Sequence, residues 1–146
     1  MAIEIEHKYL VIDDSYKHTA YEQLEIRQGY LNRQPEHTVR IRTVNDRGFL
    51  TVKGKNTGDV RHEYEYEIPL KDALEMLSIC EPGILEKTRY KVKFDNLIWE
   101  IDEYHGSHKG LVVAEVEIPE PGYRYSLPSF IGKNVTGDPC YYNSQL

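Results

Sequence analysis

Cysteine, phenylalanine and tryptophan are scarce in this 146-residue chain, at two, three and one, against twelve tyrosines. The two cysteines, Cys80 and Cys140, lie far apart and make no metal-binding pair, so a reduced cytoplasmic protein is expected, with one disulfide as the alternative. No apolar run approaches the ~18 residues of a membrane-crossing helix, and no membrane partner is expected. Glu4, Glu6 and Lys8 interrupt the N-terminus, which leaves no signal-peptide stretch. A cation excess is also missing. With a net charge of −6 the chain lacks the basic surface of a general nucleic-acid binder, and no nucleic-acid partner is expected. Without repeats, low-complexity tracts or linkers, residues 1–146 are expected to form one domain, as a monomer or homodimer.

What the chain does have is alternation. Residues 3–11 place Ile3, Ile5, Tyr9 and Val11 on one side and Glu4, Glu6 and Lys8 on the other. The same period of two predicts strands over 24–32, 38–44, 49–54, 61–68, 85–94, 97–105 and 111–118. Turns are marked by Asn45-Asp46-Arg47-Gly48 and Asp95-Asn96. Leu70, Ala73, Leu74 and Leu77 recur at helical spacing, predicting a helix over 71–80. Short helical pieces are expected within 13–22 and near 126–131 and 138–144. About eight antiparallel strands with a few helices suit a mainly β protein built as a barrel.

Almost every strand carries one apolar and one charged face. In an ordinary barrel or sandwich the charges would face water. Two features predict the reverse, with the charges lining a lumen and the helices packed outside. The helix over 71–80 is amphipathic and needs an apolar sheet face, which would be the barrel's exterior. In addition, like charges stand in pairs on one face, as Glu4/Glu6, Glu63/Glu65, Glu115/Glu117 and Arg40/Arg42. Such pairs repel unless an ion of opposite sign lies between them. Acidic pairs ask for a cation, and all-oxygen ligands select Mg²⁺ or Mn²⁺. The basic set of Lys8, Arg40, Arg42, Lys53, Arg61, Lys87 and Arg89 asks for an anion with many charged oxygens, such as a linear triphosphate. On strand 85–94, Lys91 and Lys93 share the face of Lys87 and Arg89 and are read as rim or surface charges. Tyr30 could reach the lumen or serve packing.

These residues resemble the CYTH superfamily of triphosphate tunnel metalloenzymes. The opening Glu4-x-Glu6-x-Lys8 matches the family's hallmark. Further matches follow in order at RQGYL (27–31), VRIR (39–42), TVKG (51–54), RHEYEYEI (61–68), EKTRY (86–90), WEIDEY (99–104) and VAEVEIP (113–119), and the end resembles that of short bacterial members. The resemblance implies an eight-stranded antiparallel β-barrel tunnel and hydrolysis of inorganic tripolyphosphate with Mg²⁺ or Mn²⁺. By position, Glu4, Glu6 and Glu117 would hold a metal. Glu63, Glu65, Asp102 and Glu115 would complete the acidic wall with room for a second metal, and the seven cations would grip the phosphates. His7 replaces a frequent basic residue and is read as structural on the outer face. Cys140 stands where the closing motif usually has Arg, which would weaken closure of a tunnel mouth.

The reaction so implied is attack of water on a terminal phosphorus, releasing pyrophosphate and orthophosphate, with Glu4, Glu6 and Lys8 at its centre and Glu63 or Glu65 taking the proton. The enzyme alternatives are thiamine triphosphatase and class IV adenylate cyclase. The alternative of another class is a non-catalytic polyphosphate- or nucleotide-binding module, which the acidic pairs would weaken.

Overall fold

The computed structural model of the protein describes residues 3–146. Alternation becomes nine strands among the described residues: β1 (Ile3–Val11), β2 (Glu22–Asn32), β3 (His37–Val44), β4 (Arg47–Gly54), β5 (Val60–Ile68), β6 (Leu85–Phe94), β7 (Leu97–Tyr104), β8 (Val112–Glu117) and β9 (Ile131–Asn134). They pair antiparallel in the order β5-β4-β3-β2-β6-β7-β8-β1. β1 pairs back onto β5 and closes an eight-stranded barrel. The seam is short, with Ile3, Glu4 and Ile5 opposite His62, Arg61 and Val60.

Beyond that seam, β1 would expose unpaired backbone, and β9 occupies the position, with Tyr9 opposite Asn134 and Val11 opposite Ile131. The helix expected near 126–131 is therefore not formed. Pro128 accepts a turn bond from Ile131 and the chain extends into β9. β2 begins two residues earlier than expected because Glu22 and Gln23 already pair with Lys91 and Tyr90. Asp95 and Asn96 both take positive φ, 47° and 66°, the geometry of a two-residue hairpin whose twist matches its strands.

Two helices lie outside the ring, α1 (Tyr16–Thr19) and α2 (Leu70–Leu77). α2 is shorter than the predicted 71–80 because its last turn tightens to i→i+3 bonds, from Ser78 to Glu75 and from Ile79 to Met76. Its Ala73 and Leu77 bury against Ile41. Ala73 lies so close to Gly48 that a β-carbon there would stand 2.6 Å from the Ala73 Cβ, which explains a glycine within β4. A larger exterior core joins Trp99, Ile101, Ala114 and Val116 to Tyr16 of α1 and to Phe130 and Ile131 of the C-terminal segment. Each large side chain buried there contributes about 1.5–3 kcal/mol. A third cluster faces inward, where Leu85, Tyr104 and Val113 meet Leu111, Tyr141 and Leu146 at one end of the lumen. No helix among the described residues is long and apolar enough to cross a membrane.

Candidate active site

Since the exterior takes the apolar faces, period-two alternation turns the charged faces into the lumen. Register then decides which charges meet. Lys8 and Glu100 both stand opposite Glu115, Glu6 opposite Glu117, Arg89 opposite Asp102, and Lys53 opposite Glu63. Glu4, Lys8, Arg40, Lys87, Arg89, Asp102 and Glu115 are all buried.

The basic side is built around Asp102. Both Asp102 and Lys87 are 1 % exposed, and Lys87 Nζ lies 2.8 Å from Asp102 Oδ2. Arg89 approaches the same carboxylate bidentately at 2.8 and 2.9 Å, and reaches Glu100 at 3.3 Å and Glu115 at 3.4 Å. Burial pushes the Lys87 ammonium down to about 8, opposed by Asp102 and reinforced by Arg89. Arg40 and Arg42 donate to Glu65 at 3.3 and 3.1 Å, and the Thr51 hydroxyl adds a bond of 2.8 Å. Arg42 is lowered to about 10 by burial and then by the repulsion of Arg40 and Arg89. The Nε atoms of both Arg40 and Arg42 are buried without a hydrogen-bond partner. A buried guanidinium donor without an acceptor is costly, and an anion in the lumen would satisfy it.

The acidic side gathers Glu4, Glu6 and Glu115. Burial, then the neighbouring Glu115 and Glu4, hold the Glu6 carboxyl well above its ordinary range. Glu4 is also raised, chiefly by burial, against the pull of Lys53. Glu115 goes the other way. Burial would raise it, but Lys8, a hydrogen bond from Glu6, and Arg89 hold it well below. Lys53 Nζ sits between Glu4 at 3.2 Å and Glu63 at 3.1 Å, and Lys8 lies 3.6 Å from Glu115. No group of three metal-ligating side chains is preassembled among the described residues, and these ammonium groups stand among the oxygens instead. The donor set is all oxygen, and two of its carboxyls, Glu4 and Glu6, are raised by burial first and then by neighbouring carboxylates, a chemistry that fits a hard divalent cation. Glu117 is exposed at the rim and raised, by burial and then by Glu4, Glu63 and Glu100.

A cavity of about 70 Å³ lies between the acidic side, with Glu4, Glu6, Lys8 and Glu115, and the cations Arg40, Lys53 and Arg61. Arg61 lines it while donating to the Gly54 carbonyl at 2.9 and 3.1 Å. A second cavity, about 400 Å³, is lined by Arg42, Arg89, Lys91 and Glu100 together with Phe49. Lys91 therefore faces a lumen opening, paired with Glu22 at 3.5 Å, whereas Lys93 is exposed.

The matching family model is the CYTH domain, over residues 2–134. The chain belongs to the CYTH family. A CYTH relative described as an inorganic triphosphatase, from Acetivibrio thermocellus, is 48% identical over 100% of this chain and 94% of its own length. Another inorganic triphosphatase, from Nitrosomonas europaea, is 31% identical over 98% of this chain and 95% of its own. The crystal structure of an inorganic triphosphatase aligns at a TM-score of 0.69 with 29% identity, over 99% of this chain and 94% of that one. The family implies dependence on a divalent metal.

Within this CYTH barrel Glu4, Glu6, Lys8, Arg40, Lys53, Arg61 and Glu115 line one cavity and Arg42 and Arg89 the other. Lys87 pairs with Asp102, Glu63 pairs with Lys53, and Glu65 and Glu117 are exposed. His7 lies outside, its ring bonded to Tyr125 OH at 2.6 Å and Asp59 Oδ2 at 2.7 Å. Cys140 is exposed, and both cysteines are free thiols. Tyr30 is buried and lines the smaller cavity, its hydroxyl accepting from Gln28 at 3.3 Å. Sequence reasoning missed Tyr104 and Asn143, which meet each other beside Lys87. Asn143 lies in a segment with no period to read.

Proposed function

We propose that this protein hydrolyses inorganic tripolyphosphate to pyrophosphate and orthophosphate inside the barrel, with Mg²⁺ or Mn²⁺ as cofactor. One observation carries the reading. Arg40, Arg42 and Arg89 crowd one wall closely enough to repel, and two of them present buried donors without acceptors among the described residues. Beside them, the carboxylates Glu4, Glu6, Glu63 and Glu115 outnumber the Lys8 and Lys53 ammonium groups they meet. A polyanion accompanied by a hard metal answers both needs.

Glu4, Glu6 and Glu115 would hold the ion, with Glu117 at the rim, and when bound it would neutralise phosphate oxygens and acidify a water. Asp102 has both oxygens committed to Lys87 and Arg89, so its role is to align those cations rather than to bind metal. Arg40, Arg42, Lys53 and Arg89 orient the phosphate chain and stabilise charge that grows on the transferring group. Lys8, between Glu115 and the cavity, faces the reacting phosphate. Of the two carboxylates expected to accept the proton, Glu65 is held by three donors, and although burial raises it, Arg42 and Thr51 lower it overall. Among the described residues Glu63 pairs only with Lys53 and is the better acceptor.

The test is phosphate release from tripolyphosphate, ATP and thiamine triphosphate, each with Mg²⁺, with Mn²⁺ and with chelator. Metal-dependent turnover fastest on tripolyphosphate is expected. Binding without turnover under every metal would leave a polyphosphate-binding module in its place.

A further inference from the structure

Residues 139–146 contain no charged side chain, yet they enter the site. Tyr141 and Leu146 seat on the inward apolar cluster of Leu85, Tyr104 and Val113. The Tyr141 carbonyl accepts from Lys8 Nζ at 3.0 Å, and Asn56 donates to the Tyr142 hydroxyl at 2.9 Å. Between these two tethers and the buried Ser144, Asn143 is pinned at the wall of the smaller cavity. Its Oδ1 accepts from Lys87 Nζ at 3.3 Å and from the Tyr104 hydroxyl. Both neighbours are donors here. The ammonium can only donate, so the atom it meets is the carboxamide oxygen, and the Tyr104 hydroxyl places its one proton on that same oxygen. Two donors on one oxygen fix the flip of the carboxamide, so its Nδ2, with two N–H groups, is left for the cavity.

We propose that Asn143 is a substrate-binding residue whose Nδ2 donates to a phosphate oxygen of a linear inorganic polyphosphate held by Lys8 and Arg40. The inference rests on the triphosphatase reading for its ligand. It adds a neutral donor among cations, which recognises oxygen position without adding charge, and it makes the last residues of the chain part of the binding site.

The experiment measures the dissociation constant for tripolyphosphate by calorimetry in chelator, alongside turnover with Mg²⁺, for the wild type, Asn143→Asp and Asn143→Ala. Asn143→Asp keeps the shape and the oxygen that Lys87 and Tyr104 use, but aims a carboxylate at the phosphate. A donor role makes it the worse variant, with binding weakened more than tenfold and melting unchanged. A role limited to holding Lys87 and Tyr104 makes Asn143→Ala the worse one and overturns the proposal. Because a new carboxylate could also act by drawing Lys87 away, Asn143→Asp is repeated in a Lys87→Met background, where the loss is expected to persist. Its disappearance there would overturn the proposal too. Should the double variant not fold, the ¹⁵N side-chain amide signal that Asn143→Ala removes is followed in the wild type during titration with tripolyphosphate in chelator. A shift at saturation supports the contact, and a stationary signal refutes it. Wild-type binding without turnover would sink the triphosphatase reading while leaving this contact to be judged on binding alone.

Discussion

Two carboxylate clusters share one lumen and behave in opposite ways. Around Asp102, the acid meets Lys87 and the Nε–Nη2 edge of the Arg89 guanidinium, and although burial raises its carboxyl, Arg89 and Lys87 hold it below the usual range. Around Glu6, acids meet acids, and the carboxyl is held well above that range. Residue types are alike, so composition does not separate them, although Asp102 is buried and Glu6 only partly so. Pairing does. A saturated cluster is architecture, whereas the cluster with more carboxylates than cations is the one the proposed function assigns to the metal ion.

The largest effect should come from breaking the saturated side. Asp102→Ala strands two buried cations and is expected to cost about 3–5 kcal/mol of stability, measured by urea unfolding. Stability near the wild-type value would show that the two clusters do not differ as described. Glu6→Gln should cost little stability, since it removes a charge disfavoured by burial and by its acidic neighbours. Turnover on tripolyphosphate should fall by more than the roughly 100-fold lost with a group that only supports a metal ligand, because Glu6 would hold the ion itself. The same substitution sharpens the comparison through pH. Glu6 binds its proton more tightly folded than unfolded, so its contribution is intact below the ordinary carboxylate value of 4.5 and is lost as pH rises toward its raised folded value. Asp102 and Glu115, being lowered, change only below their ordinary values. Thermal melting without metal should therefore decline above 4.5 in the wild type and less so in Glu6→Gln, and a divalent cation should reverse the decline. A parallel decline in both proteins would remove Glu6 as its source. The smallest effect is expected at Glu117→Gln, where an exposed rim charge is screened by water and turnover should drop only a few-fold.

Much of this was legible in the sequence. Period-two alternation fixed which side chains share a face, and the paired like charges argued that the shared face turns inward, as Glu4, Glu6, Arg40 and Arg42 do. Alternation says nothing of who stands opposite whom. Asp102 and Glu115 look equivalent in sequence, and only the register that sets Arg89 against Asp102 and Lys8 against Glu115 distinguishes them. β9 was missed because its four residues pair only to cover the backbone that the short β1–β5 seam leaves bare. Asn143 was missed because its importance comes from two donors contributed by distant strands.

The pairing of β1 with β8 has a kinetic consequence. Glu4 and Glu6 enter the site on the first strand, and Glu115 on the eighth, more than a hundred residues later. Local hairpins such as β3–β4 and β6–β7 can form early, but bringing the two ends of the chain together must wait on the slow closure of very long loops. The acidic cluster thus comes into existence only with the last pairing of the ring. A partly folded chain can display the arginines of β3 without the carboxylates that complete the site, so recovery of activity during refolding should lag behind recovery of β-structure and report the moment of closure.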